Sequence, residues 1–321
     1  KERLEVERLE AARKEEERRR QQALEEERLE AERLALEKEA AEAEEDLGGL
    51  EETPGEDDSD PLPQKEEPPR ALPPVFTTER VPAAWGTIYY ATKRTALFED
   101  LESTKEVASI PAAAYFVGEE VAEQWLYTRH QGRVGYVPLK DLRGFSVMRS
   151  GATIIVNKTY GLPAAFHPGV NPEAQEALKN LLAAAKSQGL SLINLSGFRS
   201  YQQQQSTHNH YLRTYGAAYA ERISLRAGHS EHQTGLAFDI GASGGRYNLS
   251  RSFGETNAGK WLAQHAAQYG FIVRYPEGKE SITGILYELW HFRYVGPALA
   301  QAITASGLTL DEYFNALGPH Y

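Results

Sequence analysis

The most constraining stretch of the chain is His229-Ser230-Glu231-His232-Gln233-Thr234-Gly235-Leu236-Ala237-Phe238-Asp239-Ile240. Leu236, Phe238 and Ile240 alternate with Ala237 and Asp239, the period of a strand with one apolar face, so Asp239 is expected on the opposite face. Gly235 permits a bend between the polar loop and the strand, and His232 can then fold back beside Asp239. Further along, Glu288-Leu289-Trp290-His291 runs into Phe292, Tyr294 and Val295, a second strand pattern. Positions three apart on a regular strand face opposite ways, so Glu288 and His291 share a site only if the chain bends at or before Leu289. Together the segments offer two imidazoles and a carboxylate to a divalent metal and leave a second carboxylate free as a base.

Charge divides the chain. Residues 1–73 hold 13 Lys and Arg against 26 Asp and Glu, and the rest of the totals of 35 and 46, namely 22 and 20, fall on residues 74–321. An acidic leader on a nearly neutral body argues against a nucleic-acid partner. There is no cysteine, so any metal must use His and carboxylate ligands. No run of eighteen or more apolar residues is present, so no apolar membrane-spanning helix is expected. The chain begins at Lys1, and a true N-terminus with a signal peptide or anchor is expected to have preceded it.

Residues 1–46 are nearly all Glu, Arg, Lys, Ala, Leu and Gln and predict a long charged helix. Leu4, Leu9, Leu24, Leu29 and Leu34 recur at fives rather than at 3.5, which leaves a solvated spacer and a self-associating helix both open. Residues 47–82, with prolines such as Pro54, Pro61 and Pro63 among acids, read as a linker. From 83 to 144 short β-prone runs such as Thr87-Ile88-Tyr89-Tyr90 and Trp125-Leu126-Tyr127-Thr128 alternate with turns. The remainder, 145–321, predicts a buried strand at Thr153 to Val156, a helix capped by Asn171-Pro172-Glu173 and ended by Gly189, and a strand over 190–195. Helices are also expected over 200–222, 257–269 and 297–317, the last with a polar end, and a strand over 271–275. The overall class is α+β, with a small antiparallel sheet flanked by helices.

Ser230-Glu231-His232-Gln233-Thr234-Gly235-Leu236-Ala237-Phe238-Asp239, Glu288-Leu289-Trp290-His291-Phe292-Arg293-Tyr294-Val295-Gly296 and Ser196-Gly197-Phe198-Arg199-Ser200-Tyr201-Gln202-Gln203-Gln204 occur in an order that resembles the VanY-type zinc D-alanyl-D-alanine carboxypeptidases. The resemblance covers roughly residues 146–321. It implies Zn2+ held by His232, Asp239 and His291, and it settles His232 over His229, which becomes a pocket wall. It also implies Glu288 as the general base that deprotonates the attacking water and passes the proton to the leaving amine. Arg199 would bind a carboxylate or the developing oxyanion, and Ser230 and Gln204 would line the substrate pocket. Glu231 is expected outside the metal shell, Trp290 beneath it, and Arg293 against an internal carboxylate. His208, His210 and His265 are read as structural.

Trp125 and Gly132-Arg133-Val134-Gly135-Tyr136-Val137 resemble the bacterial SH3-like barrels that accompany wall hydrolases. Such a barrel would be a spacer, a cover for part of the enzyme or a wall-binding module, with Trp125 read as core. The implied activity is removal of the terminal D-alanine from peptidoglycan stem peptides outside the cytoplasm. An L,D-carboxypeptidase acting on tetrapeptide stems, an endopeptidase, and a non-catalytic wall-binding protein with a structural metal are the alternatives.

Overall fold

The structure, a computed structural model, describes residues 82–102, 105–122, 124–130 and 133–318. The expected helix over 1–46 and all but the last residue of the linker over 47–82 lie outside the described residues. The first described part is all β: β1 (Ala84–Ala91), β2 (Thr95–Phe98), β3 (Glu106–Ile110), β4 (Tyr115–Phe116), β5 (Gly118–Ala122), β6 (Trp125–His130), β7 (Arg133–Pro138), β8 (Leu142–Ser150) and β9 (Thr153–Ile154). They form two antiparallel sheets, of order β3-β2-β7-β6-β5 and β4-β1-β8-β9. Leu97, Ile110, Phe116, Leu126 and Val137 fill the space between them. Trp125 is only half-buried, its ring edge-on to Phe98 at 5.9 Å, and so stands at the margin of this core rather than within it.

β8 crosses the expected boundary at 144/145. β8 pairs with β1 without a break from Leu142 opposite Ala91 to Arg149 opposite Ala84. The strand runs across that point because its buried Val147 completes an apolar cluster with Ile88, Tyr90, Ile154, Val156 and Phe166. The β part and the region that follows therefore share a core.

In the second part, Asn171 caps α1 (Pro172–Ser187), its Oδ1 accepting from the N–H groups of Glu173 and Ala174 at 3.0 and 3.1 Å. β10 (Leu192–Ser196) follows, then α2 (Tyr201–Tyr215) and α3 (Ala217–Ile223). The single helix expected over 200–222 is split because Gly216 adopts φ +77°, outside the helical region. β11 (Ala237–Ala242), α4 (Asn257–His265), a 3-10 turn over Ala266–Tyr269 and β12 (Phe271–Tyr275) come next. A short α5 (Glu280–Thr283) leads to β13 (Glu288–Tyr294), α6 (Pro297–Ser306) and α7 (Leu310–Tyr313). The expected helix over 297–317 is thus two helices, and its end is not polar: Leu310, Tyr313, Phe314 and Ala316 pack on Val295, Leu299 and Ile303.

The second part is built on the antiparallel sheet β10-β11-β13-β12. Phe238, Phe292 and Val273 align across it and, with Ile240 and Trp290, pack against Leu178 and Leu181 of α1 and Leu262 of α4. Burying each of the two phenylalanines stabilises the sheet by about 1.5–3 kcal/mol. Ser196, Asp239 and His291 align in the neighbouring row, whose side chains emerge on the opposite face.

Candidate metal centre and active site

Local chemistry places the first imidazole. The segment Glu231–Thr234 forms a 3-10 turn, and Gly235 ends it with φ +68°. A Cβ there would stand 2.0 Å from the carbonyl oxygen of Gly169, so only glycine lets the chain drop from this turn into β11. His232 is thereby turned back over Asp239, with Nε2 at 3.2 Å from Oδ2. Its Nδ1 lies 2.6 Å from the carbonyl oxygen of Gly197, which holds the ring and directs Nε2 inward.

The second imidazole is set by register. His291 lies opposite Asp239 across β11 and β13, and its Nδ1 is 3.3 Å from Oδ1. On the β12 side, Val273 pairs with Phe292 and Tyr275 with Glu288, so two steps of β12 span four of β13. β13 therefore has a register irregularity between Glu288 and Phe292. Tyr275, the register partner of Glu288, has its ring 5.0 Å from that of His291.

His232, Asp239 and His291 are the donor group found among the described residues, all buried and with ligand atoms within 4.8 Å of one another. Zinc held at about 2.0–2.1 Å in tetrahedral geometry separates its ligands by about 3.3 Å. The distances of 3.2 and 3.3 Å, one to each oxygen of Asp239, are of this size, and both imidazoles therefore face the carboxylate closely enough to share a cation with it. His229 stands outside the group, with Nδ1 at 2.8 Å from the carbonyl oxygen of Asn157. Glu288 is buried and is also outside it.

Glu231 does more than the sequence suggested. It is fully buried, and its Oε1 accepts from Arg274 Nε and Arg293 Nη1, both at 2.8 Å, while Oε2 faces His291 Nε2 at 3.5 Å. Arg293 thus has its internal carboxylate. Arg274 in turn donates to both oxygens of Asp311 at 2.8 and 3.1 Å, and Asn157 donates to the same carboxylate at 2.7 Å. Arg274 and Asp311 were missed because their partners lie far away in the chain; the available signal was one charge inside the apolar run Phe271-Ile272-Val273-Arg274-Tyr275.

Arg199 is steered by two side chains: Nη1 donates to Gln204 Oε1 at 2.9 Å and Nη2 to Ser196 Oγ at 3.2 Å. The Gln204 amide also donates to Ser224 Oγ and the carbonyl of Leu225. Gln204, expected to line the pocket, is buried and its Oε1 is held by Arg199. Ser230 is buried at the head of the turn that carries His232. His208 is buried 3.7 Å from Glu221, and His265 stacks on Trp261.

Burial pushes the His232 imidazole below its ordinary range despite Asp239. Burial would lower His291 as well, but Asp239 and Glu231 overcome it and raise it to about 9. Burial disfavours the charged form of Glu231, yet Arg274 and Arg293 prevail and hold its carboxyl well below the usual range. Without metal His291 therefore carries a proton near neutral pH, and zinc must displace it. The apparent zinc association constant is expected to rise about tenfold per pH unit between roughly pH 7 and 9 and to level off above. Competition against a fluorescent chelator measures this, and a flat profile below pH 9 would show that Asp239 and Glu231 do not hold that proton.

A buried pair of imidazoles and a carboxylate, on an antiparallel sheet beside an unligated glutamate and a braced arginine, defines a zinc peptidase centre. The VanY family profile, described as D-alanyl-D-alanine carboxypeptidase, matches residues 167–297. A putative carboxypeptidase, YodJ, of Bacillus subtilis is 38% identical over 197 residues, 55% of this chain and 72% of that protein. The bifunctional D-Ala-D-Ala dipeptidase and carboxypeptidase VanXYC of Enterococcus gallinarum is 37% identical over 46% of this chain and 78% of its own length. Among solved structures, an L,D-carboxypeptidase of Streptococcus pneumoniae is 41% identical over 55% of this chain and 95% of its own, with a TM-score of 0.49. A vancomycin-resistance D,D-pentapeptidase in complex with Zn(II) is 34% identical over 50% of this chain and 98% of its own, with a TM-score of 0.45. The chain belongs to the VanY D-alanyl-D-alanine carboxypeptidase family.

Proposed function

We propose that the chain removes the terminal D-alanine from peptidoglycan stem peptides as a zinc-dependent D,D-carboxypeptidase. The observation that carries this reading is the His232, Asp239 and His291 donor group with Glu288 beside it but outside it. When bound, zinc polarises the scissile carbonyl and makes water nucleophilic at neutral pH. Glu288 takes a proton from the attacking water and delivers it to the departing amine as the C–N bond breaks and the C–O bond forms. Arg199, fixed by Gln204 and Ser196, pairs with the substrate's terminal carboxylate and so sets which bond meets the base.

In this reading the protein works outside the cytoplasm, where the wall substrate is. The β part acts as an SH3-like module that touches the wall, residues 47–82 span the gap as a linker, and residues 1–46 self-associate or meet a protein partner. Mass spectrometry of pentapeptide and tetrapeptide stems, with and without chelator, tests the activity. Chelator-sensitive loss of one alanine from the pentapeptide alone is expected. Loss from the tetrapeptide would move the assignment to the L,D class, and a zinc-loaded protein that cuts neither would overturn the carboxypeptidase reading.

A further inference from the structure

A groove of about 470 Å³ runs between the β part and the segment leading to α1, lined by Thr92, Lys140 and Arg143 on one side and His167 and Pro168 on the other. It carries two full cations and no carboxylate. The neighbouring acid, Asp141, is already engaged at 2.7 Å by both Lys93 and Thr95. Lys140 and Arg143 are both exposed. A concave surface with this charge takes an anion.

Its position links that anion to the reaction. Phe166 is locked in the aromatic cluster, 5.6 Å from Tyr90 and 5.3 Å from Phe145, and His167 follows it directly into the groove. The His167 ring meets Phe198 edge-on at 4.8 Å, and Phe198 immediately precedes Arg199. The two parts cannot drift apart easily. Tyr115 donates its hydroxyl to the carbonyl of Thr234 in the metal segment, and Asn171 Nδ2 donates to the carbonyl of Ala113 at 3.3 Å. The groove is therefore joined, through the contact of His167 with Phe198, to the segment that carries Arg199.

We infer that this groove binds a second carboxylate of the peptide substrate, carried upstream of the scissile bond, through Lys140 and Arg143. This rests on the carboxypeptidase reading and deepens it: the β part becomes a specificity element for long acidic peptides and not a spacer. Terminal D-alanyl-D-alanine alone would leave the groove unused.

The test compares two peptides ending in D-Ala-D-Ala, one with a free side-chain carboxylate a few residues upstream and one with the corresponding amide. The zinc-loaded full chain and its Lys140→Gln/Arg143→Gln variant are measured on both. The wild-type protein is expected to prefer the acidic peptide roughly tenfold in kcat/KM, mainly through KM, with the preference shrinking at high salt. The variant should lose the preference and keep the wild-type rate on the amide peptide. Equal kcat/KM for the two peptides in the wild-type protein, or an equal loss on both in the variant, overturns the inference while leaving the carboxypeptidase reading intact. If neither peptide is cut, the carboxypeptidase reading fails, and calorimetric binding of the same peptides to the zinc-loaded chain still decides the groove. Tighter binding of the acidic peptide that vanishes in the variant supports it, and equal binding overturns it.

Discussion

Glu288→Gln is expected to keep its full complement of zinc and to lose turnover by roughly 10²–10⁴-fold, the range that a positioned acid–base group contributes. The side chain is buried, begins β13 and stands outside the donor group, so the exchange of one oxygen for nitrogen leaves His232, Asp239 and His291 in place. The amide cannot accept the water proton, and with no base the proton has no route to the departing amine. A drop in kcat with little change in KM would mark an interaction needed only in the transition state. Metal analysis beside the kinetics decides the matter. Loss of zinc would make Glu288 a ligand, and near-normal turnover would make it a bystander.

Glu231→Ala is expected to destabilise the protein by about 3–5 kcal/mol and to weaken zinc binding by about 10–100-fold. The first effect comes from two guanidinium groups, both fully buried, that lose their shared acceptor. Arg274 keeps Asp311, whereas Arg293 is left with the carbonyls of Ile154 and Tyr294. The second effect comes from His291, whose Nε2 no longer faces a carboxylate and whose ring is free to tilt away from Asp239. Denaturant unfolding of the zinc-free chain measures the first effect and chelator competition the second. Glu231→Gln should be milder in both, since it keeps an acceptor oxygen while losing the charge. Stability within 1 kcal/mol of wild type for Glu231→Ala would mean that water or another group satisfies the two arginines.

These two glutamates mark where sequence reasoning stopped. Glu288 was legible only through the resemblance carried by Glu288-Leu289-Trp290-His291, since its spacing from His291 conflicts with a regular strand; the register of β13 is irregular opposite Val273 and Tyr275. The role of Glu231 was not legible, since within its own segment it is one polar residue beside His232. Its partners are 43 and 62 positions away. Gln204 lay in a recognisable block, yet whether it meets substrate or braces Arg199 depends on how α2 packs against Ser224 and Leu225.

What the sequence determined by itself was local. The alternation around Asp239 set which side chains share a face, Gly235 set the turn that returns His232, and Asn171 with Pro172 set the start of α1. Each follows from backbone sterics or from a hydrogen bond between near neighbours. Only the tertiary structure decided that Asp311 and Arg274 stand behind Glu231, that β8 runs from the β part into the sequence before the peptidase segments, and that a cationic groove opens beside Phe198. Buried charges choose partners by distance in space. That distance is set when the sheets and helices close on one another, not by spacing along the chain.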